Sequence, residues 1–166
     1  MNLKTCLTLA PLALLAACGT SVDPAAVKET VAAVEEAQMQ AIASDDIDGA
    51  TRIFHGNATL TMPDGVSYQG ADSIRAAYQA MMGDPNMTVK VTPGTAWASE
   101  GGDLAVTNSA GEYTSTGADG QPATVAFNNQ TVWRKADSGP WLIVSDINYP
   151  TAPAPAAPAA APPAGA

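Results

Sequence analysis

The sequence predicts an α+β domain, with N-terminal helices packed on one face of an antiparallel sheet. Apolar residues recur at helical spacing before residue 55 and again over 70–82. From residue 87 to residue 148 apolar and polar residues alternate in strand-length segments, broken by Gly-, Pro- and Asp-rich turns. The span 23–149 between two compositionally distinct ends is enough chain for one core.

Asp23-Pro24 reads as an N-cap followed by proline at the first helical position. Val27, Val31, Val34, Gln38 and Ile42 then lie along one helix face, with Glu29, Glu35 and Glu36 placed elsewhere on it. Ser44-Asp45-Asp46 stops that helix and caps a shorter one running to about Phe54. His55-Gly56 is expected to end it, since glycine suits the left-handed position beyond a helix. Ala58–Met62 and Val66–Gln69 form a hairpin about Pro63-Asp64-Gly65. A third helix over Gly70–Met82 turns Ile74, Ala77, Tyr78 and Met81 inward. Strands are then expected at Met87–Val91, Thr95–Ser99, Leu104–Ser115, Thr124–Lys135 and Trp141–Asn148.

The two ends have other tasks. Lys4 followed by the uncharged, Leu/Ala-rich Thr5–Ala17 is the pattern of a secretory signal. At about 1.5 Å per residue this run is too short for a hydrocarbon core of about 30 Å. Leu15-Ala16-Ala17-Cys18 resembles the lipobox of bacterial lipoproteins. That resemblance implies removal of residues 1–17, lipid on the Cys18 sulfur, a tether over 18–22, and a membrane as partner on the periplasmic side. Gly19 after the cysteine resembles the signal for the outer membrane. The competing reading makes Cys18 a small buried residue of an uncleaved N-terminal helix. Residues 150–166 are almost wholly Pro and Ala, and are expected to be a polyproline-like or disordered tail.

Composition excludes several classes. Seven Lys+Arg stand against 16 Asp+Glu, a formal net charge of −9, which repels nucleic-acid phosphates. Cys6 lies in the segment predicted to be removed and Cys18 is the predicted lipid site, so no intramolecular disulfide is expected. The chain shows no P-loop, nucleophile elbow or dinucleotide fingerprint, and no metal-ligand spacing. We therefore expect neither cofactor nor metal.

"MPDGVSYQGADSIRAAYQAMM", "GGDLAVTNSAGEYTSTGADGQP", "VWRK" and "WLIVSDIN" together resemble the domain-of-unknown-function-4440 and SnoaL-like branch of the NTF2-like superfamily. The resemblance covers about residues 25–149. It implies a cone in which a strongly curved sheet wraps the helices and leaves a pocket at its open end. Relatives include ketosteroid isomerases, polyketide cyclases, dehydratases and proteins without known activity, so fold alone does not settle function.

His55, the sole histidine, is a candidate base, and its expected place in a last helical turn favours a capping role. Asp146 is a second catalytic candidate. Strict alternation groups Asp146 and Asn148 with Leu142 and Val144, opposite Trp141, Ile143, Ser145 and Ile147. Turned into an apolar pocket, Asp146 would have its pKa raised, as a general base requires. It could equally fix the strand end by accepting hydrogen bonds. Asn108 and the Asn128-Asn129-Gln130 run put amides on otherwise apolar strands, and Asn129 is the one expected to face inward. Trp97 and Tyr113 are expected to line the pocket with Asn108, Asn129, Asp146 and Asn148, while Trp133 and Trp141 are assigned to the core.

Three readings follow. The first is a membrane-anchored domain binding a small apolar or amphipathic ligand, or a protein partner, without catalysis. The second is an isomerase, cyclase or dehydratase using Asp146 as base. The third is an interaction module, a homodimer formed through the outer sheet face.

Overall fold

The computed structural model describes residues 23–135 and 139–151. The signal segment 1–17, the tether 18–22 with Cys18, and residues 152–166 of the tail lie outside the described residues.

Helix α1 (Pro24–Ala43) starts where the cap signal puts it, with Asp23 Oδ1 accepting the Ala25 N–H at 2.9 Å. Its buried face is Val27, Val31, Gln38, Ala41 and Ile42. Asp45 adopts a φ of 57°, and Asp46 Oδ1 then caps α2 (Ile47–Thr51) from the Gly49 N–H at 2.9 Å. Here the expected boundary is corrected. Helix α2 ends at Thr51, and Phe54, His55 and Gly56 open strand β1 (Phe54–Thr61). The Ile53 carbonyl accepts the Ile143 N–H at 2.8 Å, and Phe54 pairs with Ile143, so sheet pairing overrides the glycine stop. His55 is thus a strand residue, not a helix cap.

The hairpin to β2 (Ser67–Gln69) turns at Gly65, whose φ is 85°, with Asp64 Oδ1 accepting the Val66 N–H at 2.9 Å. Helix α3 (Ala71–Met82) buries Ile74 and Tyr78. The two strands expected around Pro93-Gly94 are one, β3 (Thr88–Ala98), with a register shift between Pro93 and Ala96. β3 is an edge strand, where a residue without an N–H breaks no sheet. A Cβ on Gly94 would lie 2.6 Å from the Asn108 carbonyl oxygen, so only glycine lets the backbones approach there.

β4 (Leu104–Thr116), β5 (Pro122–Lys135) and β6 (Trp141–Pro150) complete a sheet of order β2-β1-β6-β5-β4-β3. One neighbour pair, β1 with β6, is parallel, so the sheet is mainly rather than wholly antiparallel. Strand β6 runs on through Pro150, which the composition reading gave to the tail. The sheet curves around the helices, and register shifts in three of its pairings supply local bends. At one end α1, α2 and α3 pack on it through Val31, Ile42, Ile74, Phe54, Trp133, Trp141 and Ile143. Trp133 and Trp141, 0 % and 5 % exposed, are core as expected.

Candidate functional site

Towards the β4–β5 hairpin the sheet leaves the helices and encloses a hollow. The inner part has a volume of about 100 Å³, walled mainly by apolar side chains of α1, α3 and the sheet. A wider space of about 720 Å³ adjoins it between α3 and the far ends of β4, β5 and β6. Met62, Pro63, Met81 and Tyr113 line both, so the two form one funnel, narrow inside and broad at the mouth.

Asp146 stands in the wall of the inner part, on the central strand β6, with Leu60 of β1 and Thr131 of β5 beside it in register. Its orientation corrects the expected alternation. Val132 pairs with Ser145 and Trp133 with Ile143, leaving Val144 as an extra residue. This bulge reverses the facing of the strand, so Ile143 and Asp146 both point inward, at 1 % and 7 % exposed.

A polar floor holds Asp146. Its Oδ1 accepts from Asn129 Nδ2 at 2.5 Å and Asn148 Nδ2 at 3.1 Å. Asn148 Nδ2 also donates to the Thr61 carbonyl at 3.0 Å, and Asn129 Oδ1 accepts from Thr131 Oγ1 at 2.8 Å. The threonine bond fixes the Asn129 amide with its NH2 towards the carboxylate. Oδ2 of Asp146 has no protein partner among the described residues. No buried side-chain nitrogen or oxygen there lacks one, so Oδ2 opens on the cavity.

Burial pushes the Asp146 carboxyl up to about 7, against the pull of the Asn129 and Asn148 bonds, with the charge of Glu35 adding to the rise. Tyr78 borders the same space, its hydroxyl accepting from Gln38 Nε2 at 2.9 Å. Burial, and then the charge of Asp146, raise its pKa further and keep its proton in place.

Glu35 lines the cavity from α1, and burial raises its pKa against the bond from Thr107. Trp133 Nε1 donates to Thr107 Oγ1 at 3.0 Å, and Thr107 Oγ1 lies 2.5 Å from Glu35 Oε1. An indole N–H can only donate, so the threonine proton goes on to Glu35.

Of the residues singled out in the sequence, Tyr113, Asn129, Asp146 and Asn148 come together in the inner cavity. Trp97 does not: it projects from the outer face of edge strand β3, 57 % exposed, while its neighbour Ala98 turns inward. Asn108 also lies outside the lining, its side chain bonded to Thr95 and Gln130. His55 is at neither cavity; its Nδ1 accepts the Asn57 N–H at 3.2 Å. Sequence reasoning missed Glu35 and Tyr78 as site residues. The signal for Glu35 is its phase. It falls four residues after Val31 and three before Gln38, on the buried stripe of α1. Among the described residues no three His, Cys, Asp or Glu side chains gather as metal ligands.

A curved sheet over helices, with a polar group deep in a mainly apolar funnel, defines the class: a pocket-bearing α+β cone. The family model for the SnoaL-like domain matches residues 36–142, more than half of the chain, and the chain belongs to that family. The fold resembles that of an NTF2-like superfamily protein from Salmonella enterica serovar Typhimurium, at 21% identity and a TM-score of 0.65, over 82% of this chain and 98% of that one. A ketosteroid isomerase-like protein from Erwinia carotovora atroseptica aligns with a TM-score of 0.64 at 20% identity, over 75% of this chain and 96% of that one. A domain of unknown function with a cystatin-like fold from Nostoc punctiforme gives 0.65 at 17% identity, over 79% and 81% of the two chains. At such identities the likeness is one of fold. No curated protein matches the chain.

Proposed function

We propose that the chain is a lipid-anchored member of the domain-of-unknown-function-4440 branch whose pocket binds a small, mainly apolar molecule by a polar end held at Asp146. Asp146 carries this reading: a carboxyl 7 % exposed, held by two asparagines through one oxygen and open to the cavity through the other. Burying such a group costs several kcal/mol unless it is well paired, on the order of the stability of a whole domain. A wall serving only to close a core would be apolar there.

A second reading, proton transfer to or from the bound molecule, is favoured by the ionisation of Asp146 at about 7. A general base works best with its pKa near the operating pH. The Tyr78 hydroxyl, also on the cavity wall, would support an oxygen gaining negative charge. The reaction class is then isomerisation or dehydration next to a carbonyl.

One experiment tests both. The full chain is titrated with 2-cyclohexenone in D2O and followed by NMR. Binding should shift the side-chain amide signals of Asn129 and Asn148 and the indole of Trp133, observed in matched H2O samples. Unchanged signals at saturating ketone overturn the binding reading. Proton transfer should exchange the ketone's acidic C–H for C–D, at least about a hundredfold slower in Asp146→Asn. Equal exchange in both proteins removes Asp146 as the base.

The anchor belongs to the same proposal. The lipobox pattern before Cys18 supports attachment through its sulfur, on the periplasmic side and preferentially at the outer membrane, since Gly19 follows. Two or more acyl chains give a stable anchor where one gives only reversible binding. Cys18→Ser should leave the protein uncleaved or in the soluble fraction. A variant cleaved and membrane-bound like the wild type contradicts the anchor.

A further inference from the structure

Resting on that binding reading, we infer that the polar end of the ligand is a protonated amine, bound between the open oxygens of Asp146 and Glu35.

The funnel is one-signed. Neither its inner part nor its mouth is lined by a lysine, arginine or histidine, among the described residues. Carboxylates stand at both levels: Glu35 and Asp146 inside, Asp64 and Asp84 at the mouth. Asp84 is itself tied to Thr116 by its N–H at 2.7 Å and its hydroxyl at 2.6 Å, so its part is the field it contributes. The net charge of −9 extends that field beyond the mouth.

The hydrogen bonds point the same way. The protein's own donors are spent on one oxygen of each inner carboxylate. Asn129 and Asn148 take Oδ1 of Asp146, and the Trp133–Thr107 relay takes Oε1 of Glu35. Oε2 of Glu35, like Oδ2 of Asp146, has no protein partner among the described residues, and half-buried Glu35 lines the same cavity. The site thus offers carboxyl oxygens to whatever enters, beside the Tyr78 hydroxyl, which accepts from Gln38 and keeps its own proton. An ammonium carries three donors and no acceptor. A carboxylate or phosphate entering the same space would meet two carboxyl groups and, among the described residues, no cation to offset its charge. Asp146 is 7 % exposed with an unpartnered oxygen turned to the void, so this is a cavity-facing binding group rather than a solvated acidic patch.

The test uses three probes of one shape: cyclohexylmethylamine, cyclohexylmethanol and cyclohexanecarboxylate. Each is titrated into the full chain near neutral pH by calorimetry. Charge-assisted hydrogen bonds are about twice as strong as neutral ones, so the amine should bind at least about tenfold tighter than the alcohol, with the carboxylate weakest. Asp146→Asn and Glu35→Gln should each lower the ratio of amine to alcohol affinity, and the double variant should bring that ratio to about one. If the alcohol binds and the amine binds no tighter, or the advantage survives in the double variant, selection of a cation is wrong and the pocket stands. If none of the three binds, the binding reading fails and this inference with it.

Discussion

Asp146 holds its proton more tightly in the folded protein than in the unfolded chain. Its pKa rises from 3.8 to about 7. Between those values the folded state carries one more proton than the unfolded one. Stability therefore falls as pH rises through that window and is level above it. At about 1.4 kcal/mol per pH unit the loss is on the order of 4 kcal/mol. Asp146→Asn removes the titration, and its amide oxygen can accept the two asparagine donors that Oδ1 takes now. Thermal unfolding followed by circular dichroism should show Asp146→Asn more stable than wild type near pH 8, with the gain vanishing near pH 4. A gain equal at both pH values would mean that Asp146 titrates as an ordinary carboxylate. At this scale the sequence was informative where a polar residue interrupts an apolar strand, as Asn129, Asp146 and Asn148 do. It was silent where the decisive atom is the tip of a core residue. Tyr78 satisfies the apolar pattern of α3, and only its hydroxyl reaches Gln38. Trp97 misled because an aromatic on a strand of alternating residues fits either face, and an edge strand leaves one face uncovered.

Elements whose signals are local were legible, and those set by a partner strand were not. The Asp23 cap, the Asp46 cap and the Asp64-Gly65 turn each rest on a side chain within three residues of the backbone group it holds. The end of α2 and the start of β1 depend instead on Ile143, about ninety residues away, whose N–H claims the Ile53 carbonyl. The bulge at Val144 is of the same kind. Nothing in "WLIVSDIN" marks one residue as extra, and strict alternation is the default reading. Yet that one residue brings Ile143 and Asp146 to the same face and sets an apolar wall beside a carboxyl. The stripe on α1 has the period its spacing predicts but is wider than that spacing implies, and Glu35 at its edge lines the cavity. A helix packed in a concave sheet is covered over more of its circumference than one lying on a flat one.

For the molecule as a whole, the hollow stands where packing would otherwise continue. The core fills one end of the cone, and the other end replaces side-chain contacts by a void of about 100 Å³ that widens to the mouth. Unfilled volume forfeits dispersion contacts and the burial of apolar surface, so a domain selected for stability alone would close it. Ser109 offers a place to do so. It lines the inner cavity from β4, opposite Asn129 of β5. Its hydroxyl lies 3.4 Å from Asn129 Oδ1, which keeps the closer bond from Thr131 at 2.8 Å when the serine is lost. Ser109→Val adds apolar bulk towards the void, on a strand that favours a β-branched residue. Cavity filling of this kind stabilises by about 0.5–2 kcal/mol. Ser109→Val should therefore melt a few degrees above wild type and bind cyclohexylmethanol more weakly, in thermal unfolding and calorimetry on the same preparation. A rise in melting temperature with undiminished binding would place the ligand in the mouth rather than at Asp146. A fall would mean that the inner wall is already packed and that the hollow is not space the fold keeps open at a cost in stability.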